Sequence, residues 1–271
     1  STRRNDLNRL VEWFLPFRSC LIAFSGGVDS TLLAYAATEA LGKNAHAVLS
    51  KSPAMADSEV EFARDMASEM GIQLIEVVQN DLVDMEYVKK SVMRCYFCRS
   101  NLVQSTRPLV ERFSIEVCVD GTHSDDVLNP RPGIKALREA GFRAPYLEVS
   151  FGKERIRQLA KLAGLSNWDR PSEACLSSRI AFGSEIDLSK LRRTESAELF
   201  VRFITGAKIV RVRNMGKNAI VEVDKESVPA ALAQIALISN KLKELGYATV
   251  EIDSSGYQPG RMLELFVARE K

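Results

Sequence analysis

The chain has 271 residues, 46% of them hydrophobic and 27% charged, enough for one large domain or two smaller ones, each with its own core. A formal net charge of +2 lacks the basic excess of a dedicated nucleic-acid binder, which disfavours nucleic acid as a partner. No apolar run approaches the roughly 20 residues of a membrane span, no secretory signal is evident, and five cysteines, an odd number, do not make a secreted disulfide framework, so we expect a cytoplasmic protein with reduced thiols.

In chain order, DLNRLVEWFLPF puts Leu7, Leu10, Val11 and Phe14 at helical spacing and predicts an amphipathic helix. CLIAFS predicts a strand that ends in the loop SGGVDS, and Leu32, Leu33, Ala36 and Ala37 mark a helix stopped by Gly42. AHAVLS is a second strand, followed by a helix with Asp57 as its expected N-cap and Gly71 as its terminator. IQLIEVV and IEVCVDG are the third and fourth strands, with Cys95 and Cys98 in the connection between them, and GKERIRQLAKLAGL is a further helix. This alternation predicts an α/β fold with a doubly wound, mainly parallel sheet over 1–185, binding its ligands at the carboxyl ends of the strands. Beyond it, a helix near 188–203, two strands joined by MGK, one long helix with Leu232, Ile235, Ile238, Leu242 and Leu245 on one face, and a last strand YATVEID predict a smaller α+β domain over 186–271.

The hexapeptide Ser25-Gly26-Gly27-Val28-Asp29-Ser30 sits where a strand hands over to a helix. Two glycines let the backbone approach an anion, and the N–H groups and helix dipole favour negative charge there. Ser25, Ser30 and Thr31 add hydroxyl donors. No lysine follows the glycines, which excludes the loop that grips a triphosphate for γ-phosphoryl transfer.

This loop resembles that of the N-type ATP pyrophosphatases, and VDGTHSDDVLNPRPGIKALREAGFRAPYLEVSFGKERIRQLAKLAGL followed by WDRPSEACLSSRIAFG narrows the likeness to the LarE-type sulfur transferases. The resemblance continues through VRVR, VEV and GYQPG and covers nearly the whole chain. It implies that ATP adenylates a carboxylate of pyridinium-3,5-biscarboxylic acid mononucleotide, that sulfur displaces AMP, and that the protein is a homo-oligomer, a hexamer in the family. It implies that Ser25, Gly26, Gly27, Asp29, Ser30, Thr31 and Gly121 bind ATP, and the pair Asp125 and Asp126 suits Mg²⁺ beside the phosphates. Arg179, Arg211 and Arg213 are the expected ligands of the mononucleotide's phosphate, and Glu198 and Glu222 fall where the family has carboxylates for a divalent ion. His123 stands where the family has Asn, and GYQPGRM departs from the commoner ending of that segment.

Cys175 occupies the family's sulfur-donor position; in one form it gives up its own sulfur in a single turnover. Cys95 and Cys98 are dispensable to that form, and together with Cys175 they point to three thiolate ligands of a [4Fe–4S] cluster carrying an extra sulfide, reloaded by sulfide or a sulfur-donor protein. A zinc site, a Cys95–Cys98 disulfide and unrelated thiols are the alternatives, and Cys20 and Cys118 read as small core residues. A tRNA thiolation enzyme sharing this chemistry, and a nucleotide-binding protein without activity, are the competing functions.

Overall fold

The structure, a computed structural model, describes residues 2–89, 92–127 and 132–262. It divides into two compact units: one runs to Asp81 and resumes over Met93–Glu173, and the other takes Leu82–Val92 and everything from Ala174. In chain order come α1 (Thr2–Phe14), β1 (Cys20–Ala23), α2 (Val28–Leu41), β2 (Ala45–Lys51), α3 (Asp57–Met70), β3 (Leu74–Val78) and the single turn α4 (Met85–Val88). They are followed by α5 (Arg94–Arg112), β4 (Val117–Val119), α6 (Ser124–Val127), α7 (Pro132–Glu139), α8 (Pro145–Glu148) and α9 (Lys153–Leu162). The second unit continues with α10 (Leu188–Thr205), β5 (Val210–Met215), β6 (Asn218–Val223), α11 (Val228–Ala233), α12 (Ile235–Glu244) and β7 (Thr249–Ile252).

In the first unit the strand order is β3-β2-β1-β4, all parallel, with Ile22 of β1 paired to Ala47 on one side and Val119 on the other. A strand buried on both faces must be apolar throughout, and Cys20, Leu21 and Ile22 are fully buried. The expected doubly wound sheet is therefore present. Its central pair, β1 and β4, delivers SGGVDS and DGTHSDD side by side at the carboxyl edge. The loops touch closely: a Cβ on Gly121 would lie 3.1 Å from the Asp29 Cβ.

Three local expectations change. Ala56, not Asp57, is the N-cap of α3; Asp57 is the first helical residue, where its charge faces the positive end of the helix dipole. Cys95 and Cys98 lie in the first turns of α5, a 19-residue helix, rather than in an irregular connection. The long helix expected near the C-terminus is two, α11 and α12, because Gln234 leaves helical geometry at φ −102° and ψ 12°. That break rotates the face, so Leu232 and Ile235 are exposed while Ile238 and Leu242 are fully buried.

The second unit holds a three-stranded sheet, β5-β6-β7, with β5 and β6 antiparallel and β6 and β7 parallel. It begins before the boundary near 186 that the sequence pattern suggested. Ala181 N–H donates to the Asn214 carbonyl at 3.0 Å, and Ile186 N–H donates to the Val88 carbonyl at 2.9 Å, which fixes 174–186 and α4 to this unit. Among the described residues, no helix is long and apolar enough to cross a membrane.

Candidate functional site

The phosphate loop is shaped by its own hydroxyls. Ser30 Oγ accepts from Ser25 N–H at 3.1 Å and donates to the Gly27 carbonyl at 3.1 Å, while Gly27 N–H reaches Ser25 Oγ at 3.3 Å. Ser25 is exposed, so its hydroxyl and the Gly27 N–H face the mouth. Thr31 does not: it is fully buried, and its Oγ1 accepts from Asn167 Nδ2 at 3.0 Å. The hydroxyl expected to meet phosphate anchors the loop from behind. Gly26 has φ +76°, and a Cβ there would lie 2.8 Å from the Ala63 Cα on α3. Gly26→Ala combines left-handed strain with a backbone clash. It is expected to lower unfolding stability by about 2 kcal/mol or more in a denaturant titration, and to weaken ATP binding.

The neighbouring loop supplies the carboxylates. Asp125 is exposed, and its Oδ2 accepts from Lys153 N–H at 2.6 Å, capping α9. Asp126 is buried and turns back to His123, accepting from His123 N–H at 3.2 Å and standing 3.4 Å from its Nε2. His123, in the usual Asn position, thus holds this turn closed. Lys153 was not legible as a site residue from sequence. Its Nζ donates to both Asp29 carboxylate oxygens, at 2.7 and 2.6 Å, which places a cation at the mouth of the loop. Tyr146, fully buried, donates through its hydroxyl to the Asp29 carbonyl at 2.7 Å.

On α5, Cys95 and Cys98 are three residues apart and so lie on one face of the helix. Gly133, from the R-P-G segment, lets α7 pack here, since a Cβ would lie 3.1 Å from the Cys95 carbonyl; Arg131 of that segment lies outside the described residues. Gln79 Nε2 donates to the Cys98 carbonyl at 2.8 Å and stands 3.5 Å from Cys98 Sγ. Its partner Asp81 is fully buried and accepts from Gln79, Asn101 and Ser52 at 2.7, 3.0 and 2.6 Å, enough to compensate a carboxylate removed from water.

In the second unit Cys175 is exposed, with its Sγ 3.1 Å from Ser177 Oγ. Ser177 is fully buried and accepts from the hydroxyl of Tyr87, on α4, at 3.0 Å. The residues expected to serve phosphate and metal instead pair with one another. Arg179 Nε donates to Glu198 Oε1 at 2.8 Å, with its Nη1 on the carbonyls of Ala174 and Cys175 at 2.6 and 3.1 Å. Arg213 donates to both oxygens of Glu222, at 3.0 and 2.7 Å, and Arg211 donates to the Val210 carbonyl and lies over the Tyr257 ring. Each glutamate is neutralised by an arginine in the position expected for a divalent ion. Among the described residues, no group of three or more His, Cys, Asp or Glu side chains stands together as a metal site.

Burial sorts the cysteines. It pushes the Cys20 thiol up to about 12 and the Cys118 thiol to about 11, so both stay protonated and inert in the core, as the sequence suggested. Cys95, Cys98 and Cys175 lie outside the core as reduced thiols. As soft thiolate donors these three suit iron–sulfur ligation by their chemistry, two from the first unit and one from the second.

Comparison with known proteins agrees with this geometry. The NAD synthase family pattern matches residues 7–110, which include the whole phosphate loop. The uncharacterized protein slr1717 of Synechocystis sp. is 36% identical over 260 residues, covering 95% of this chain and 97% of that one. The pyridinium-3,5-bisthiocarboxylic acid mononucleotide synthase of Lactiplantibacillus plantarum is 29% identical over 254 residues, 93% of this chain and 92% of its own. A glutamine-hydrolyzing GMP synthase chain of Pyrococcus horikoshii is 26% identical over 161 residues, about half of each chain, so its likeness stops at the loop-bearing part. A glycine loop at the carboxyl end of a parallel sheet, joined to a match that runs through both units, places the chain in the LarE-type family of the PP-loop ATP pyrophosphatase superfamily.

Proposed function

We propose that the chain is an ATP-dependent sulfur transferase acting on a carboxylate of pyridinium-3,5-biscarboxylic acid mononucleotide. The observation that carries this reading is the sorting of the cysteines: the two in the core are inert, and the three outside it accompany a phosphate loop. The full-length likeness to the Lactiplantibacillus synthase supports the substrate.

Ser25 and the Gly27 N–H take the phosphates of ATP, with Asp29, Ser30 and Gly121 shaping the mouth and Lys153 adding positive charge. Asp125 and Asp126 would hold Mg²⁺, which offsets the charge of the departing pyrophosphate. A carboxylate oxygen of the substrate attacks the α-phosphorus, the bond to pyrophosphate breaks, and an acyl-adenylate forms. Sulfur then attacks the acyl carbon, and AMP leaves with the former carboxylate oxygen. Arg179, Arg211 and Arg213 are the proposed phosphate ligands of the mononucleotide, and Glu198 and Glu222 the proposed ligands of a divalent ion. Both roles require the buried pairs Arg179–Glu198 and Arg213–Glu222 to open. Cys95, Cys98 and Cys175 would hold a [4Fe–4S] cluster, which when bound supplies a renewable sulfide, reloaded by free sulfide or a sulfur-donor protein. Assembly as a homo-oligomer belongs to the same proposal.

Anaerobic purification with iron and sulfide analysis tests it, followed by turnover on ATP and the mononucleotide. About four irons per chain and repeated turnover with sulfide are expected. A colourless, iron-free protein that loses one sulfur mass from Cys175 would overturn the renewable route in favour of sacrificial donation. Thiolation of tRNA without thiolation of the mononucleotide would overturn the substrate.

A further inference from the structure

Asn167 lies behind the phosphate loop, 141 residues from it in sequence, and is 3% exposed. Its Nδ2 donates to the Gly26 carbonyl at 2.8 Å and to Thr31 Oγ1 at 3.0 Å. Its Oδ1 is buried without a hydrogen-bond partner among the described residues. The opposite amide orientation would set Oδ1 against the Gly26 carbonyl, acceptor against acceptor, so the donor pair fixes how the side chain lies. A buried amide with one half unsatisfied is a poor choice for packing alone, where an apolar side chain of similar size would cost less. What the amide supplies is two donors aimed at one loop.

We infer that Asn167 is the positioning residue of the phosphate loop, setting the direction of the Gly27 N–H that receives the phosphates. A trans peptide is planar, with its carbonyl and N–H on opposite sides. The Gly26 carbonyl and the Gly27 N–H belong to one such unit. Holding the carbonyl rearward on Asn167 turns the N–H forward, to the side of the exposed Ser25 hydroxyl, where its internal contact is a long 3.3 Å. A phosphate oxygen displaces that contact at little cost and finds the N–H already oriented. Thr31, the second acceptor, pins the start of α2 to the same amide.

The segment bearing Asn167 is itself braced. Arg157 donates to the carbonyls of Trp168 and Arg170 at 2.9 and 2.8 Å, and Arg170 donates to both oxygens of Glu59 on α3, at 3.0 and 2.6 Å. Gly26 meets Ala63 of that same helix, so loop and brace share one support.

This inference rests on the reading of the chain as an ATP user, and the test separates the two. Binding of Mg-ATP and of inorganic pyrophosphate is measured by calorimetry on the full chain. For Asn167→Ala and Asn167→Asp, the dissociation constant of both probes is expected to rise about tenfold, the loss of one to two oriented hydrogen bonds. In turnover assays KM for ATP rises by a similar factor, while kcat at saturating ATP and KM for the sulfur acceptor stay within about twofold. Arg170→Met, which releases the brace from Glu59 and leaves the Asn167 amide in place, lowers the melting temperature without that KM-against-kcat split. Thr31→Val, which keeps the shape and removes one acceptor, gives a smaller rise in the same direction and serves if the Asn167 variants do not fold. Unchanged probe affinity in folded Asn167 variants, or in Thr31→Val where those do not fold, overturns this inference alone. Absence of Mg-ATP binding by the unaltered chain overturns the ATP reading and this inference with it.

Discussion

Cys175→Ser is expected to eliminate sulfur transfer while ATP binding stays within about twofold of the unaltered chain. The phosphate loop draws its contacts from Ser25, Ser30, Asn167 and Lys153, and its shape does not depend on the Cys175 thiol. The Cys175 backbone keeps its own support after substitution, since its carbonyl accepts from Arg179 and its neighbour Ser177 is held by Tyr87. Cys95→Ser and Cys98→Ser separate the two chemical routes. If sulfur is renewable, each stops multiple turnover and leaves ATP binding intact. If Cys175 gives up its own sulfur, both variants keep a full single turnover, and mass spectrometry finds the loss at Cys175. Sulfur transfer by the Cys175→Ser protein at an undiminished rate would remove Cys175 from the mechanism altogether.

The second large effect is on stability. Glu222 is fully buried, and Arg213, its partner, keeps only 7% side-chain exposure, so each ion depends on the other. Glu222→Gln leaves a buried guanidinium with a neutral partner and is expected to cost about 3 kcal/mol or more, lowering the melting temperature by several degrees. Replacing both members with apolar residues of similar volume is expected to recover most of that loss, because the penalty comes from stranding one charge rather than from losing a net attraction. A Glu222→Gln protein with an unchanged melting temperature would show that the pair opens readily, which is what a phosphate or metal role for these side chains demands. The thermal melt therefore bears on the substrate site as well as on the fold.

The strands and the loop were legible because local pattern dictates them. CLIAFS is apolar at every position but its last and runs into two glycines, and Gly26 takes the left-handed geometry that such a loop needs. The three thiols separated from the two core cysteines on the same grounds, apolar flanks for Cys20 and Cys118. Contacts between residues far apart in sequence left no signal. No periodicity links Lys153 to Asp29, Asn167 to Gly26, or Gln79 to Cys98, since each depends on which loops the sheet brings to one edge. Thr31 shows how a motif misleads: its hydroxyl belongs to the hexapeptide's neighbourhood in sequence but points into the protein. The arginines and glutamates were picked out by family likeness as ligands, and spacing alone did not reveal that Arg179 and Arg213 already have carboxylates opposite them.

The chain passes from one unit to the other at 81/82, 92/93 and 173/174. The second unit is therefore not a tail that can be cut off. A fragment beginning at Ala174 would lack Tyr87, whose hydroxyl supports Ser177, and Val88, whose carbonyl receives the Ile186 N–H. A fragment ending at Glu173 would carry residues 82–92 with nothing to cover the buried Tyr87 ring. Domain exchange, truncation and limited proteolysis at the single boundary suggested by the sequence pattern would each damage both halves. Recombination between relatives should succeed only when the short stretch around Tyr87 travels with the C-terminal part.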